Sequence, residues 1–490
     1  MFIKQRSNTI FRNHEEFGYI TDNRNFGYKL PNTFDDTLGD RIVSQSGAIF
    51  LSVLDRKPQP IDQLVSKICN IFPEIEAEII KGDALEFYGL LEKNGFIVSG
   101  ESIEECNSRD REKHYRAENP VQKLEDASRA QSAFLRSTED RFNKQFGGKD
   151  HLTSLHIEIT SRCNERCLHC YIPHEEKTRD IKPELFYRVL QQCKEMGVLN
   201  VTLSGGEPML HKEFIQFLNR CNKLNFSVNV LSNLTLLTKD ILEEMKANPL
   251  LSVQVSLYSM DSSIHDEITC LKGSFENTMR NISLLVGNEI PVQINCPIMK
   301  QNMNSYLGVR DWARKQDLQV STDHIIIAQY NHSLLNLGCR LSIEEIENVF
   351  HNRLASDAEY RKEVQSEYED RPLFDPSERI CSVCQSSICM NENGNYYPCV
   401  GWQDFVVGNA SENEIGEIWE KSDKVKFLRN LKKKDFTQCS HCEANDVCSV
   451  CMVRNANEHP RGDPLAVSQH FCSIVKMKRR VILGNKNEAL

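Results

Sequence analysis

The chain has 490 residues, with 59 Lys and Arg against 69 Asp and Glu and a formal net charge of −10. Because phosphate contacts need an excess of positive charge, this balance argues against a general nucleic-acid binder. There is no run of about 18 apolar residues that would predict a membrane span. The polar N-terminus, "MFIKQRSNTIF", does not resemble a signal peptide. These features predict a cytoplasmic protein of about three domains.

The first 100 residues are expected to form one small domain. "FGYITDNRNFGYKL" places aromatic strands around the turn-forming "DNRN" and predicts a hairpin. Helical patterns follow over residues 40–55, 60–72 and 82–95, and "FIVSG" predicts a short closing strand. A hairpin with three helices predicts a winged-helix fold. Eleven Lys and Arg against fourteen Asp and Glu in this region argue against DNA binding.

Residues 101–150 are highly charged and poor in large aliphatic side chains, which predicts a partly helical linker. From residue 152 onward, strand and helix patterns alternate. The six predicted strands are "LHIEIT", "VTLS", "SVNVLSN", "LSVQVSLYS", "VQINCPIM" and "DHIIIAQY". This rhythm predicts an α/β fold, a partial (β/α)6 barrel of parallel strands, with its site at the carboxyl ends of the strands.

Three cysteines follow the first predicted strand within the stretch "CNERCLHCY". Cys163, Cys167 and Cys170 lie within eight residues of one another. Thiolates are soft ligands that suit iron–sulfur clusters and zinc. Three of them leave one metal position open for chemistry. The spacing alone leaves open a zinc site completed by His169 or by a distant residue.

The turn "GGEP" follows the second predicted strand. Together with CxxxCxxC after the first strand, it resembles the radical S-adenosylmethionine (SAM) superfamily. The resemblance implies that the three cysteines hold a [4Fe–4S] cluster whose free iron binds SAM. Reduction of that cluster by an external donor, such as flavodoxin or ferredoxin, would release a 5′-deoxyadenosyl radical.

The same resemblance implies SAM contacts at the ends of the second, third and fourth strands. Glu207 would pair with the SAM ammonium and Ser256 with its carboxylate. The remaining predicted contacts are Gly205, Gly206, Ser232 and Asn233. Glycines allow close backbone approach to a ligand. Turn capping is the structural alternative for the polar residues at strand ends.

Two further stretches refine the resemblance. His169 occupies a loop position where the superfamily usually has an aromatic residue, near the adenine. "HDEITCLKGSF" resembles the peptide-modifying branch, with Cys270 in place of a frequent glycine. No general base can be assigned, since His265 and Asp266 are candidates by position alone.

Nine cysteines lie between Cys381 and Cys472. Their spacing resembles the SPASM domain of peptide-maturing radical SAM enzymes, which holds two auxiliary [4Fe–4S] clusters. Two residues, rather than the frequent three, precede the penultimate cysteine. Paired CxxC motifs are also typical of zinc ribbons, which remain the alternative.

The SPASM resemblance implies two ligand sets. The first contains Cys381, Cys399 and Cys451, completed by Cys384 or Cys389. Cys384 is favoured because Cys389 lies within a predicted strand. The second set consists of Cys439, Cys442, Cys448 and Cys472.

Together, these features predict four regions. Residues 1–100 would be a winged-helix domain that recognises a leader peptide, 101–150 a linker, 151–370 the radical SAM partial barrel, and 371–490 the SPASM domain. The implied function is maturation of a ribosomal precursor peptide, as in sactipeptide or ranthipeptide biosynthesis, with a cysteine thioether favoured. The alternatives are a carbon–carbon or carbon–oxygen crosslink, formylglycine-type sulfatase maturation, and a winged-helix iron–sulfur redox sensor.

Overall fold

The structure is a computed structural model that describes residues 1–14, 16–22, 28–29, 39–111, 116–117, 146, 148–369 and 374–487. Its strands are β1 (Phe2–Gln5), β2 (Ile10–His14), β3 (Phe17–Thr21), β4 (Tyr28–Lys29), β5 (Asp40–Ser44), β6 (Gln59–Pro60), β7 (Ile97–Gly100), β8 (Arg116–Ala117), β9 (Ser154–Thr160), β10 (Asn200–Gly205), β11 (Ser227–Ser232), β12 (Leu251–Ser256), β13 (Val292–Asn295), β14 (Gln319–Ser321), β15 (Ser387–Met390), β16 (Asn395–Tyr397) and β17 (Gly408–Asn409).

The helices are α1 (Gln45–Ser52), α2 (Ile61–Cys69), α3 (Ala77–Lys93), α4 (Ile103–Arg111), α5 (Pro183–Glu195), α6 (Phe214–Lys223), α7 (Lys239–Lys246), α8 (Ser262–Thr269), α9 (Ser274–Gly287), α10 (Tyr306–Lys315), α11 (Ile343–Ser356), α12 (Ala358–Glu369), α13 (Ile415–Lys421), α14 (Asp423–Asn430), α15 (Thr437–Ser440), α16 (Met452–Glu458) and α17 (Gln469–Asn487). Short 3₁₀ turns cover His174–Glu176, Pro208–Leu210, Leu335–Cys339 and Lys433–Asp435.

The N-terminal region contains two three-stranded antiparallel sheets, ordered β6-β1-β7 and β2-β3-β5. Strand β3 confirms the first half of the predicted hairpin, but its partners are β2 and β5 rather than residues 28–29. The predicted turn lies largely outside the described residues. Residues 40–44, predicted to be helical, form β5 because they pair with β3, a long-range contact that local periodicity does not encode.

The predicted helices α2 and α3 are confirmed and supply half of the buried residues of the N-terminal core. Leu64 and Ile68 on α2 pack with Ala84, Tyr88 and Leu91 on α3, and each is at most 2% exposed. Of the predicted linker, the structure describes α4 with its flanking turn, β8, Phe146 and the last three residues, 148–150. Its remaining residues lie outside the described part of the chain.

Six parallel strands, in the order β14-β13-β12-β11-β10-β9, form the central sheet. Alternate residues such as Val201 and Leu203 on β10 and Val228 and Val230 on β11 are fully buried in the core. The sixth strand lies at Gln319–Ser321, not in the predicted "DHIIIAQY". Strand β13 ends at Asn295 opposite Ser321, so the following apolar residues have no strand partner there.

The cysteine-rich region extends the same sheet. Strand β15 pairs in parallel with β9, and β16 and β17 continue antiparallel from it. Cys389 lies opposite His156 in this pairing. Cys389 is therefore brought beside the first strand of the central sheet. The predicted domain boundaries stay predictions.

Two arginines dock the N-terminal region against the amino ends of the central strands. Arg12, 1% exposed, donates from Nε to the carbonyl of Val198 at 2.7 Å and from Nη2 to that of Asn225 at 2.8 Å. Arg56 donates to Asn222 Oδ1 at 2.7 Å. Val198 and Asn225 directly precede β10 and β11, so this junction lies at the opposite edge of the sheet from the three-cysteine loop.

Acidification is expected to weaken this junction. Burial and the neighbouring His151 lower the pKa of His14 to about 4, and burial lowers the pKa of His151 to about 4. Unfolded histidine titrates near pH ~6.5, so between these values the unfolded state binds more protons and stability falls as the pH falls. We expect a loss of roughly 1–2 kcal/mol per histidine between about pH 7 and pH 5.

Urea unfolding at the two pH values measures this loss. His14→Phe keeps a ring against Phe17, which stacks on His14 at 4.8 Å, and removes one titrating group. The variant should therefore lose less stability on acidification than the wild type. An unchanged pH dependence would contradict the assignment.

Candidate active site at the cysteine loops

The three-cysteine loop leaves the carboxyl end of β9, and the structure brings its thiols together. Burial, the Glu165 carboxylate and negative charge on Cys170 and Cys163 all raise the pKa of the Cys167 thiol. Burial raises the pKa of Cys163 to about 12. A metal that binds these thiols must displace their protons.

Backbone hydrogen bonds fix the loop on its neighbours. The amides of Arg166 and Leu168 donate to the carbonyls of Thr269 and Ile268, each at 3.0 Å, at the end of α8. Arg162 pairs with Asp180 at 2.7 Å. These contacts hold the loop against the end of α8 and against Asp180.

The predicted glycines Gly205 and Gly206 lie directly against this loop. A Cβ on Gly205, whose φ is +133°, would lie 1.9 Å from the Thr160 carbonyl oxygen, and one on Gly206 would lie 2.2 Å from that of Arg162. The Gly206 amide donates to the Thr160 carbonyl at 2.8 Å. The glycines therefore permit close packing of two loops, a role beyond the expected approach to SAM.

Glu207, Ser232 and Asn233 form one buried cluster. The Glu207 carboxylate accepts hydrogen bonds from Ser232 Oγ and from the Asn233 amide, both at 2.8 Å, and from the Met209 amide at 3.1 Å. Burial raises the pKa of Glu207 to about 7, while these donors lower it. The structure thus joins residues predicted separately on two strands.

Ser256 lies apart from that cluster. It ends β12 and is half-buried, and its side chain lies beside Tyr258. Tyr258 also contacts the cysteine loop, because its ring lies 5.2 Å from that of His169 at an angle of 66°. Burial lowers the pKa of His169 to about 4, so this imidazole is neutral at pH 7.

Sequence reasoning missed two charged residues at the three thiols. Glu165, 2% exposed, accepts a hydrogen bond from Cys167 Sγ at 3.3 Å, and burial raises its pKa to about 7. Lys177 lies near Cys170, Cys163 and Cys167, whose negative charges raise its pKa against the effect of burial. Glu165 lies inside the CxxxCxxC motif, so the sequence could have indicated it. Lys177 lies outside the motif, and only the fold brings it near the three thiols.

His265 and Asp266 hold the α8–α9 connection. Asp266 accepts from the amides of Gly273 at 2.6 Å and Phe275 at 3.0 Å and from Ser274 Oγ at 2.9 Å. His265 Nδ1 accepts from the Tyr258 amide at 3.3 Å. These contacts are structural.

Cys270, which replaces the expected glycine, is exposed and ends α8 in the left-handed conformation, with φ +53° and ψ +31°. A side chain is disfavoured there and glycine is not. Cys270→Gly is expected to be roughly 0.5–1 kcal/mol more stable than Cys270→Ala, which keeps the steric cost. Denaturant unfolding of the two variants tests this, and a glycine variant no more stable than the alanine variant would contradict it.

A second group contains five cysteines from the C-terminal region. Burial and negative charge on Cys451 and Cys381 raise the pKa of Cys399 to about 11. Burial raises the pKa of Cys384 to about 12, and its thiol neighbours are Cys399 and Cys381. Cys389 lies in β15, beside Cys399, Cys384 and Glu158. Both candidate fourth ligands therefore lie in this group.

A third group surrounds a cavity of about 220 Å³. Its lining includes all four cysteines of the second predicted set, Cys439, Cys442, Cys448 and Cys472. Burial and the charges of the other three raise the pKa of Cys448 to about 12. Apolar residues such as Ile380 and Phe471 complete the wall.

Two negative findings concern the described part of the chain. Within it, no three His, Cys, Asp or Glu side chains converge closely enough to hold a single metal ion. No described helix combines the length and apolarity needed to cross a membrane.

Comparisons with known proteins agree with this geometry. Residues 157–313 match the radical SAM superfamily, and residues 381–443 match SPASM, an iron–sulfur cluster-binding domain. These matches place a radical SAM region and a SPASM region in the chain.

Three similar proteins show the range of relatives. The AdoMet-dependent heme synthase of Oleidesulfovibrio alaskensis is 22% identical over 343 residues, covering 64% of this chain and 86% of its own. The antilisterial bacteriocin subtilosin biosynthesis protein AlbA of Bacillus subtilis is 26% identical over 313 residues, covering 62% and 68%.

The third comparison is structural. Streptococcus suis SuiB, crystallised with the precursor peptide SuiA, superposes with a TM-score of 0.58 and 16% identity, covering 95% of this chain and 100% of that one. At that identity the likeness establishes the fold, and it extends through the N-terminal region.

Proposed function

We propose that this chain modifies a ribosomally made precursor peptide by radical hydrogen abstraction followed by crosslink formation, with a cysteine thioether as the favoured product. The observation that carries the proposal is the meeting of the three-thiol loop with the Glu207 cluster at the carboxyl ends of the parallel strands. That edge is where open parallel α/β folds bind their ligands.

The donor sets fit three [4Fe–4S] clusters. Cys163, Cys167 and Cys170 would hold the SAM-binding cluster, and Cys439, Cys442, Cys448 and Cys472 line one cavity for an auxiliary cluster. The other auxiliary cluster would use the second group, with Cys384 completing Cys381, Cys399 and Cys451. Cys384 neighbours two members of that set, whereas Cys389 neighbours one and is held within β15.

If bound and reduced, the SAM-binding cluster would cleave SAM to a 5′-deoxyadenosyl radical that takes one hydrogen atom from the substrate, and crosslink formation would then release one proton and pass one electron to an auxiliary cluster. The residues of this chain orient SAM for that step. The Glu207 carboxylate is buried, and pairing with the SAM ammonium would compensate for its loss of water contacts. Asn233, which binds Glu207, donates from Nδ2 to Asn164 Oδ1 of the cysteine loop at 3.0 Å. Gly205 and Gly206 keep the two loops in contact.

A peptide substrate is supported by the extent of the chain's likeness to known proteins. The structural likeness to SuiB, which was crystallised with its precursor peptide, extends through the N-terminal region. AlbA, named for bacteriocin biosynthesis, supports the same substrate class. In the β2-β3-β5 sheet, β2 and β5 are edge strands that could pair with an extended leader segment.

Carbon–carbon and carbon–oxygen crosslinks follow from the same hydrogen abstraction and remain the near alternatives. Formylglycine-type maturation would need no leader-binding domain. A redox sensor would not need the predicted SAM contacts around Glu207 beside its thiols.

Reductive SAM cleavage distinguishes these classes. The anaerobically reconstituted protein is expected to hold about twelve iron atoms and to form 5′-deoxyadenosine under a strong reductant. An iron content near four per chain accompanied by zinc would refute the auxiliary pair. Absence of 5′-deoxyadenosine in a fully loaded protein would favour a sensor.

A further inference from the structure

A buried carboxylate lies between the cysteine loops of the radical SAM and SPASM regions. Glu158 is on β9, two residues after His156, which pairs with Cys389 on β15. Successive side chains alternate between sheet faces, so Glu158, His156 and Cys389 share one face. Tyr397 lies opposite Cys389 on β16 and shares that face.

Glu158 is 2% exposed and is bound from both sides. The Tyr171 hydroxyl donates to its Oε1 at 2.8 Å, and Gln403 Nε2 donates to Oε1 at 3.1 Å and to Oε2 at 2.9 Å. Tyr171 directly follows Cys170, and Gln403 lies four residues after Cys399. One side chain therefore links the loop of the SAM-binding group to the loop of an auxiliary group.

The loop after Cys399 is held at further points. Asn457 Nδ2 donates to the Gly401 carbonyl at 2.7 Å and to that of Ala328 at 3.0 Å. The Trp402 amide donates to the Cys399 carbonyl at 3.0 Å. The contacts of Glu158 differ from these because one of them is with Tyr171, next to Cys170 of the three-cysteine loop.

Burying a carboxylate costs free energy that three hydrogen bonds only partly offset. An amide or an apolar side chain would fill this space at lower cost. At this junction one side chain receives donors from two separate loops at once and so joins the loops.

We propose that Glu158 is a positioning residue that fixes the relation between the Cys170 loop and the Cys399 loop, and so between the clusters these loops would hold. The proposal rests on the proposed function, because it assumes those clusters.

The test compares Glu158→Ala with Glu158→Gln in the reconstituted holoenzyme. Glutamine keeps an acceptor for Tyr171, and its amide can donate to Gln403 Oε1, which has no hydrogen-bond partner among the described residues. Alanine removes both links. Electron paramagnetic resonance of the reduced protein reports the magnetic coupling between neighbouring clusters and their midpoint potentials.

Glu158→Ala is expected to retain wild-type iron content but to lose or alter the intercluster coupling, while Glu158→Gln restores it. Tyr171→Phe, which removes one link, should shift the coupling in the same direction by less. Asp357→Asn is the matched control. Asp357 is 5% exposed and accepts a hydrogen bond of 2.8 Å from Arg310, and neither residue belongs to the cysteine loops.

Unchanged coupling in Glu158→Ala, or an equal change in Asp357→Asn, would overturn the positioning role. Iron content and SAM cleavage of the wild type test the proposed function separately. A wild type that fails them overturns both, whereas a loaded, SAM-cleaving wild type with insensitive variants overturns only the inference about Glu158.

Discussion

Replacing Cys163, Cys167 and Cys170 together by alanine is expected to abolish SAM cleavage completely and to remove about four of about twelve iron atoms per chain. The three thiols lie in one loop, and the two C-terminal groups form from other segments. The auxiliary clusters should therefore survive. Iron analysis and 5′-deoxyadenosine assays measure the two effects.

The control is a Cys69→Ala and Cys270→Ala double variant, which removes thiols outside all three groups. It should keep wild-type iron and activity. Residual SAM cleavage in the triple variant, or loss of all iron from it, would contradict the division into independent groups.

Deleting residues 1–100 is expected to abolish processing of a full-length precursor while leaving peptide-independent SAM cleavage intact. The N-terminal region meets the central sheet at the amino ends of its strands, through Arg12 and Arg56, and the thiol loop lies at the carboxyl ends. Its removal should cost leader binding without disturbing the cluster. Mass spectrometry of the precursor and a 5′-deoxyadenosine assay separate these outcomes.

A leaderless peptide serves as the matched substrate, because the full chain and the deletion variant should process it equally poorly. Wild-type processing of the full-length precursor by the deletion variant would rule out leader recognition by this region. Loss of SAM cleavage as well would show that the docking contacts stabilise the central sheet itself.

Local patterns predicted the central strands and helices well because each carries its own periodicity. The apolar alternation of β10 and β11 and the Thr238 cap, which accepts from the Ile241 amide, are examples. The errors involve non-local pairing. Residues 40–44 form β5 because they pair with β3. The sixth strand lies at Gln319–Ser321 because this segment, rather than "DHIIIAQY", pairs with β13.

The residues of the candidate site were predicted from sequence motifs, whereas the contacts between them were not predicted. The cysteines and Glu207 were visible as spacings, but the joining of β15 to β9 was not, since parallel pairing leaves no local signal. That pairing is what places Cys389 and the Cys399 loop beside Glu158. Glu158 was not predicted as a site residue because "LHIEIT" has the pattern of an ordinary strand.

The central claim is tested most directly by mass spectrometry of a candidate precursor peptide co-expressed with this protein and treated with a thiol alkylator. The account predicts a product lighter by two hydrogens, with one cysteine no longer alkylated. The same loss with every cysteine still reactive would move the product to a carbon–carbon or carbon–oxygen crosslink. An unchanged mass with a precursor that binds the protein would contradict crosslink formation.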